Sequence, residues 1–342
     1  MMDGMRMTLD LQATAPQAAV SVQQTLRAPI DCTGIGVHSG RICHLALLPA
    51  PVGTGILFRR TDLGVTIPAR FDHVVDTRLC TVLGLPGRRD ATVGTVEHLM
   101  AALHGSGITN AIIELDGPEV PIHDGSAQSF VFLIDCAGIA AQNAAATAIE
   151  VRRTIRVTEG DAFVELRPNA AGLTIAMSID FSDAAIGSQS LSLRITPDSL
   201  RRSLANARTF ARAADIAALQ EAGLARGGSL DNAVVVDGAK VLNPGGLRTH
   251  DEFVRHKMLD AVGDLALAGA RLRARVVAHK SGHALNNRAL RALFADDANW
   301  RLVTDLQPGQ PSPALPLSEG GAGLPSLGTW QERRLPVAAA PV

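Results

Sequence analysis

The chain has 342 residues, of which 46 % are apolar and 19 % charged, and its net charge is −1. That is enough for roughly two domains at about 150 residues each, and too apolar and too neutral for general disorder. Balanced charge gives no global field to recruit nucleic acid or an anionic membrane, and 3 % aromatics with no Tyr argues against base-stacking platforms. Cys32, Cys43, Cys80 and Cys136 stand at irregular spacings without a CxxC, so a reduced, cytoplasmic chain fits better than a disulfide framework. No apolar run is long enough for a membrane-spanning helix. The N-terminus lacks a secretory pattern, and Met2, Met5 and Met7 leave the true start open.

Residues 1–22, rich in Ala, Gln and Thr, read as a loose extension. Arg41–Leu48 and Gly55–Arg60 are short apolar runs bounded by Gly and Pro, hence strands. Thr95–His104 predicts a helix with Thr95 as N-cap and Gly105 and Gly107 as its stop. Ala111–Leu115 reads as a strand and Ser126–Cys136 as a second helix. The bland stretch Ala137–Thr147 reads as a linker, which sets the boundary between a first domain, 23–145, and a second, 146–300. The second opens on a hairpin pattern: Val151–Val157, a turn at Glu159-Gly160-Asp161, then Phe163–Leu166. A strand at Leu173–Phe181, a long helix at about Asp251–Ala268 closed by Gly269, a strand at Val276–His279 and a helix at Ala284–Phe294 follow. Residues 301–342 hold seven of the 18 prolines and read as a tail. Each half mixes strands with two helices, which predicts an α+β fold of two similar layered halves, although no repeat is visible in the sequence.

Three segments can carry chemistry. His256 and Asp260 stand at i and i+4 on the long helix, where they either converge on one metal ion or form a surface pair. Asp264, a further turn along, is placed to orient a neighbour. Glu97-His98 opens the earlier helix and can supply a third ligand and a base for water, or simply suit a helix N-terminus. His283, at a strand–helix junction after Gly282, can act as an acid or stabilise an oxyanion, or be an exposed turn residue. Gly34-Ile-Gly36-Val-His38-Ser-Gly40 is not a P-loop, because no GK[ST] follows, but it can let backbone approach a ligand. His123-Asp124-Gly125 reads as a ligand loop or a plain turn, Thr209 offers a hydroxyl beside Phe210, and Cys80 is a ligand or a buried thiol.

Together these segments resemble the UDP-3-O-acyl-N-acetylglucosamine deacetylases, the zinc amidases of lipid A biosynthesis. The resemblance spans about residues 23–300. Its blocks, in order, are 33–40 (TGIGVHSG), 76–81 (DTRLCT), 95–99 (TVEHL), 121–127 (PIHDGSA), 207–210 (ARTF), 243–248 (NPGGLR), 251–265 (DEFVRHKMLDAVGDL) and 280–287 (KSGHALNN). It implies two β-α-β sandwich domains packed with helices inward, each with a small insert, the second insert (about 210–243) enclosing an acyl chain. It implies zinc on His98, His256 and Asp260, Glu97 as general base, His283 as stabiliser or general acid, Asp264 as the group orienting His283, and Thr209 as donor to the oxyanion. Lys257 would contact the sugar–diphosphate and Phe181 the uracil. Phe210, Ile216, Gly228, Leu230, Ala233 and Val235 would also face substrate. Iron(II) suits the same donors.

The activity implied is zinc-dependent hydrolysis of the acetamide of UDP-3-O-(3-hydroxyacyl)-N-acetylglucosamine to free amine and acetate, the committed step of lipid A biosynthesis, by a cytoplasmic monomer. Two rivals remain at this stage: an amidase for another N-acetyl sugar, and a zinc-stabilised nucleotide-sugar binding protein. A structural zinc takes four protein ligands and has no use for Glu97, which argues against the second.

Overall fold

A computed structural model describes residues 19–307, so most of the expected N-terminal extension and of the Pro-rich tail lies outside the described residues. The architecture is α+β. In the first half a five-stranded sheet runs in the order Ile30–Ile35, Ile42–Pro49, Ala111–Leu115, Ile56–Arg60, Val65–Pro68. All neighbours are antiparallel except Ala111–Leu115 and Ile56–Arg60, which are parallel with Ala111 opposite Ile56. Parallel neighbours need a long crossover, and this one carries helix α1 (Glu97–Gly105). Cys43, Leu45 and Leu47 alternate along their strand into the core, as a half-buried strand requires.

The second half centres on the long strand Arg271–His279. Thr147–Val151 and Leu173–Asp180 pair with it in parallel and Ala162–Pro168 pairs antiparallel; Ile155–Glu159, Ser188–Arg194 and Trp300–Thr304 extend the sheet. Helices α5 (Glu252–Ala266) and α6 (His283–Phe294) lie with this half, as does the single turn α3 (Pro197–Ser199), and α2 (Gln128–Ala137) lies with the first. α6 is amphipathic, with Leu285, Ala289, Leu290 and Leu293 buried at helical spacing. Nearly every residue of α1 and α5 is buried, because each helix has protein on all sides and packs against the other.

Three local expectations need correcting. Residues 137–147 are not a linker: Ile139–Ala145 is a strand, antiparallel to Val22–Leu26 with Ile139 opposite Leu26. Its residues have weak strand propensity, so backbone pairing rather than side-chain preference makes the strand. Thr95 does not cap α1. Its backbone is left-handed (φ 56°), Val96 is the N-cap, and the Thr95 hydroxyl turns instead to Glu119. The run Val151–Val157 breaks at residues 152–154 into two strands. The boundary drawn after residue 22 falls inside the strand Val22–Leu26, and that before residue 301 inside Trp300–Thr304.

Candidate active site

The α1–α5 contact depends on Gly263. A Cβ there would stand 1.9 Å from the Glu97 carbonyl oxygen, a clash with backbone that no rotamer relieves. Glycine inside a helix costs roughly 0.5–1 kcal/mol relative to alanine. Here it lets Glu97 and His98 approach the Asp260–Asp264 turn of α5.

Asp260 Oδ1 lies 3.2 Å from His256 Nε2 and 3.5 Å from His98 Nε2, and the two imidazoles meet edge-on with centroids 4.9 Å apart. All three side chains are buried. His256 Nδ1 donates to the Ala207 carbonyl (3.0 Å), so its Nε2 carries the lone pair that faces the cluster. The segment bearing that carbonyl is tied to α5 by Glu252. This fully buried carboxylate takes the Arg208 guanidinium (2.8 Å) and the backbone N–H groups of Arg208 and Arg248.

Among the described residues His98 has no such anchor at Nδ1, and Asp260 Oδ1, although buried, receives no hydrogen bond. A bare carboxylate oxygen facing two imidazole nitrogens in the interior is costly. A divalent cation satisfies all three donors together, so this donor set fits a metal, and with three protein ligands it leaves a coordination position open. Burial lowers the His98 pKa and keeps the ring in the neutral form that ligates. Burial opposes ionisation of Asp260, but His256 and Lys257 outweigh it and hold the carboxyl well below its usual range.

Beside the cluster, Glu97 Oε1 is 3.7 Å from His283 Nε2, and Glu97 Oε2 accepts the Thr81 N–H at 3.1 Å. Burial pushes the Glu97 pKa up to about 7, against the pull of His283. His283 stands at the first position of α6, and its Nδ1 meets Asp264 Oδ2 at 2.9 Å. Thr81 Oγ1 (2.6 Å) and Asn286 Nδ2 (2.8 Å) complete the Asp264 carboxylate. Burial works to lower the His283 pKa, but Asp264 and Glu97 outweigh it and raise it to about 9. The site therefore holds a carboxylate of raised pKa facing an imidazolium, an acid–base pair with separated roles.

These groups line one end of a cavity of about 600 Å³. Every singled-out site residue lines it except Asp264, which lies behind His283. Thr209 is held by its N–H to the Gly125 carbonyl (2.8 Å) and by Val234 N–H to its own carbonyl (2.8 Å). Lys257 Nζ reaches Asp260 Oδ2 at 3.3 Å. Phe181, Phe210 and Phe253 form an edge-to-face series with centroids 5.6 and 5.0 Å apart, and Phe210 also faces His256. The far wall is apolar: Ile216, Leu219, Gly228, Leu230, Ala233 and Val235, from α4 (Ala213–Glu221) and the segment after it.

His38, Ser281 and Cys80 also line the cavity, and Thr81 supports it; of these the sequence offered only Cys80, as a ligand or a buried thiol, and the backbone of the loop around His38. Cys80 is a free, buried thiol. Asp124 pairs with Arg248 at 2.8 Å and holds Ser126, so its loop serves as a turn and a tie. The signal for Thr81 lay only in its neighbours, because a residue whose N–H bonds a carboxylate 16 positions away and whose hydroxyl bonds one 183 positions away has no sequence periodicity.

Residues 23–295 match the family model described as LpxC, UDP-3-O-acyl N-acetylglycosamine deacetylase. Three curated proteins named UDP-3-O-acyl-N-acetylglucosamine deacetylase are similar along most of their length. The protein from Idiomarina loihiensis is 48 % identical over 286 residues, 82 % of this chain and 92 % of the relative. That from Anaeromyxobacter dehalogenans is 46 % identical over 306 residues, 88 % and 98 %. That from Acidithiobacillus ferrooxidans is 49 % identical over 285 residues, 82 % and 92 %.

Proposed function

The chain belongs to the UDP-3-O-acyl N-acetylglycosamine deacetylase family, and from that premise we propose that its cavity binds a UDP-3-O-acyl-N-acetylglucosamine and hydrolyses the acetamide to amine and acetate, in lipid A biosynthesis. The observation that carries this reading is the juxtaposition at the cavity floor. A buried His/His/Asp cluster, with one carboxylate oxygen lacking a donor, stands beside a Glu97–His283 pair and opens into an apolar passage.

His98, His256 and Asp260 would hold the metal, zinc on this reading, with iron(II) suited to the same donors. Bound there, the cation supplies Lewis acidity to the acetyl carbonyl and to the attacking water. Glu97 accepts the proton of that water. Its raised pKa makes it a stronger base than an ordinary carboxylate, and the Thr81 N–H fixes which oxygen is free to act. His283, kept protonated by Asp264, stabilises the developing oxyanion and stands where it can give a proton to the leaving amine. Thr209, also on the cavity lining, offers a second donor. Lys257 meets the sugar–diphosphate, Phe181 the uracil, and the apolar insert takes the acyl chain.

The four free cysteines fit the reducing cytoplasm assigned here. Among the described residues no helix is long and apolar enough to cross a membrane. The active form we propose is a monomer, since every group used above comes from one chain.

The test is an acetate-release assay on the acylated substrate and on non-acylated UDP-N-acetylglucosamine, with the metal content of the same sample measured. Activity that tracks bound metal and prefers the acylated substrate is expected. Full activity in metal-free protein, or equal activity on both substrates, overturns the assignment.

A further inference from the structure

Glu119 and the Gly-rich loop 34–40 are not used by the proposed chemistry, yet Val37 and His38 of the loop line the cavity and Glu119 holds Thr95, which lines it too. The Glu119 carboxylate is buried and accepts three hydrogen bonds: His38 N–H at 2.9 Å, Ser39 N–H at 2.8 Å and the Thr95 hydroxyl at 3.0 Å. Gly36 makes room for it, since a Cβ there would lie 2.3 Å from Glu119 Oε2. The loop seated in this way turns its carbonyls to the insert. Val37 O accepts from Gly227 N–H (3.0 Å) and His38 O from Arg226 N–H (3.3 Å). Contact is close enough that a Cβ on Gly227 would lie 2.4 Å from the Gly36 carbonyl oxygen. From Gly227 the tie passes into the cavity wall: its carbonyl accepts from Asn232 Nδ2 (2.9 Å), and Asn232 Oδ1 holds Ser229 N–H (2.8 Å). Ala225, Gly228, Leu230 and Ala233, in this same segment, line the apolar passage.

We propose that Glu119 is a positioning residue for acyl-chain selectivity, seating the loop 36–40 so that its carbonyls clamp the insert at residues 226–227 and fix the width of the passage. This rests on the reading of the insert as the acyl wall. The carboxylate touches neither the base nor the metal-binding cluster. Its effect therefore falls on how tightly and how selectively the chain is held, and the chemical step is left intact. A carboxylate is needed because two backbone N–H groups and a hydroxyl all point at it. An amide at this position presents an NH2 where an acceptor is required.

The experiment measures kcat and KM of the full-length, metal-loaded protein on UDP-N-acetylglucosamines bearing 3-O-acyl chains of graded length. Glu119→Gln should raise KM for the preferred chain about tenfold, the usual scale for losing a hydrogen bond to a charged group, and flatten the length preference, with kcat and metal content kept. Gly36→Ala, which displaces the same carboxylate from the loop side, should do likewise and serves if the first variant does not fold. Thr95→Val removes only the third hydrogen bond and should keep the wild-type length preference. If Ala233→Phe alters the preference while Glu119→Gln and Gly36→Ala do not, the insert is the acyl wall and Glu119 does not hold it. If Ala233→Phe leaves it unaltered as well, the acyl reading and this proposal fall together. A uniform loss of kcat at every chain length in Glu119→Gln places the residue with Thr95 and Glu97, and also overturns the proposal.

Discussion

The two ends of the cavity are built by opposite means. At the polar end His256, Asp260 and Asp264 occupy successive turns of one helix that is buried along nearly its whole length, and Glu97, His98 and His283 lie in the first turns of two others. His256, Glu97 and His283 are each fixed by helix geometry and by a buried partner: Ala207 O for His256, Thr81 N–H for Glu97, Asp264 for His283. The insert end rests on loop backbone and small residues. Ala225 is left-handed (φ 51°), Gly223 likewise (φ 76°), and the segment is held by main-chain hydrogen bonds to another loop. Rigid helices suit chemistry that tolerates little displacement, whereas a wall of small residues sets a width that a single substitution can alter.

The largest effect is expected at the His98–His256–Asp260 cluster. His256→Ala or Asp260→Ala leaves two protein donors, and metal analysis should show the metal lost together with activity; chelation of the wild type should do the same, reversed by one equivalent of zinc. Next in size is Glu97→Ala. It should retain metal yet lose roughly 10²–10⁴ in kcat, the usual worth of a positioned acid–base group. Metal loss in that variant would make Glu97 a ligand and not the base.

At the other end, Ala233→Phe should crowd the passage. Each methylene displaced is worth about 0.8 kcal/mol, so several lost contacts should cost about a hundredfold in kcat/KM for long-chain substrate, with little change on a non-acylated one. Equal losses on both would show that the insert does not read the chain.

The smallest effect is on pH dependence. Glu97 must be ionised, so kcat/KM should rise with pH up to a limb at or below about 7, since a bound cation adds to the pull toward the carboxylate. His283 must be protonated, so kcat/KM should fall as pH rises through about 9. Asp264→Asn removes the main charge that raises the His283 pKa and should move the basic limb to lower pH. A basic limb unchanged in both Asp264→Asn and His283→Gln belongs to another group.

The helices that carry the candidate site are legible in the amino-acid pattern alone. The i, i+4 spacing of His256, Asp260 and Asp264 puts them on one face whatever surrounds the helix, Glu97-His98 opens the helix that Gly105 stops, and His283 follows Gly282. The same pattern also carried the apolar strand runs and the small residues of the insert, because burial leaves a periodic or compositional trace. Features without such a trace were settled by long-range packing. Thr95 looked like a cap but is drawn into a left-handed conformation toward Glu119, 24 residues away. Residues 139–145 looked like a linker but pair with Val22–Leu26, because backbone groups at a sheet edge seek partners whatever side chains they bear. Gly263 is unremarkable within its helix until α1 lies against it. Hydrogen bonds and close approaches between residues far apart in the chain depend on where two backbones meet, and that meeting is fixed only when the whole core is packed.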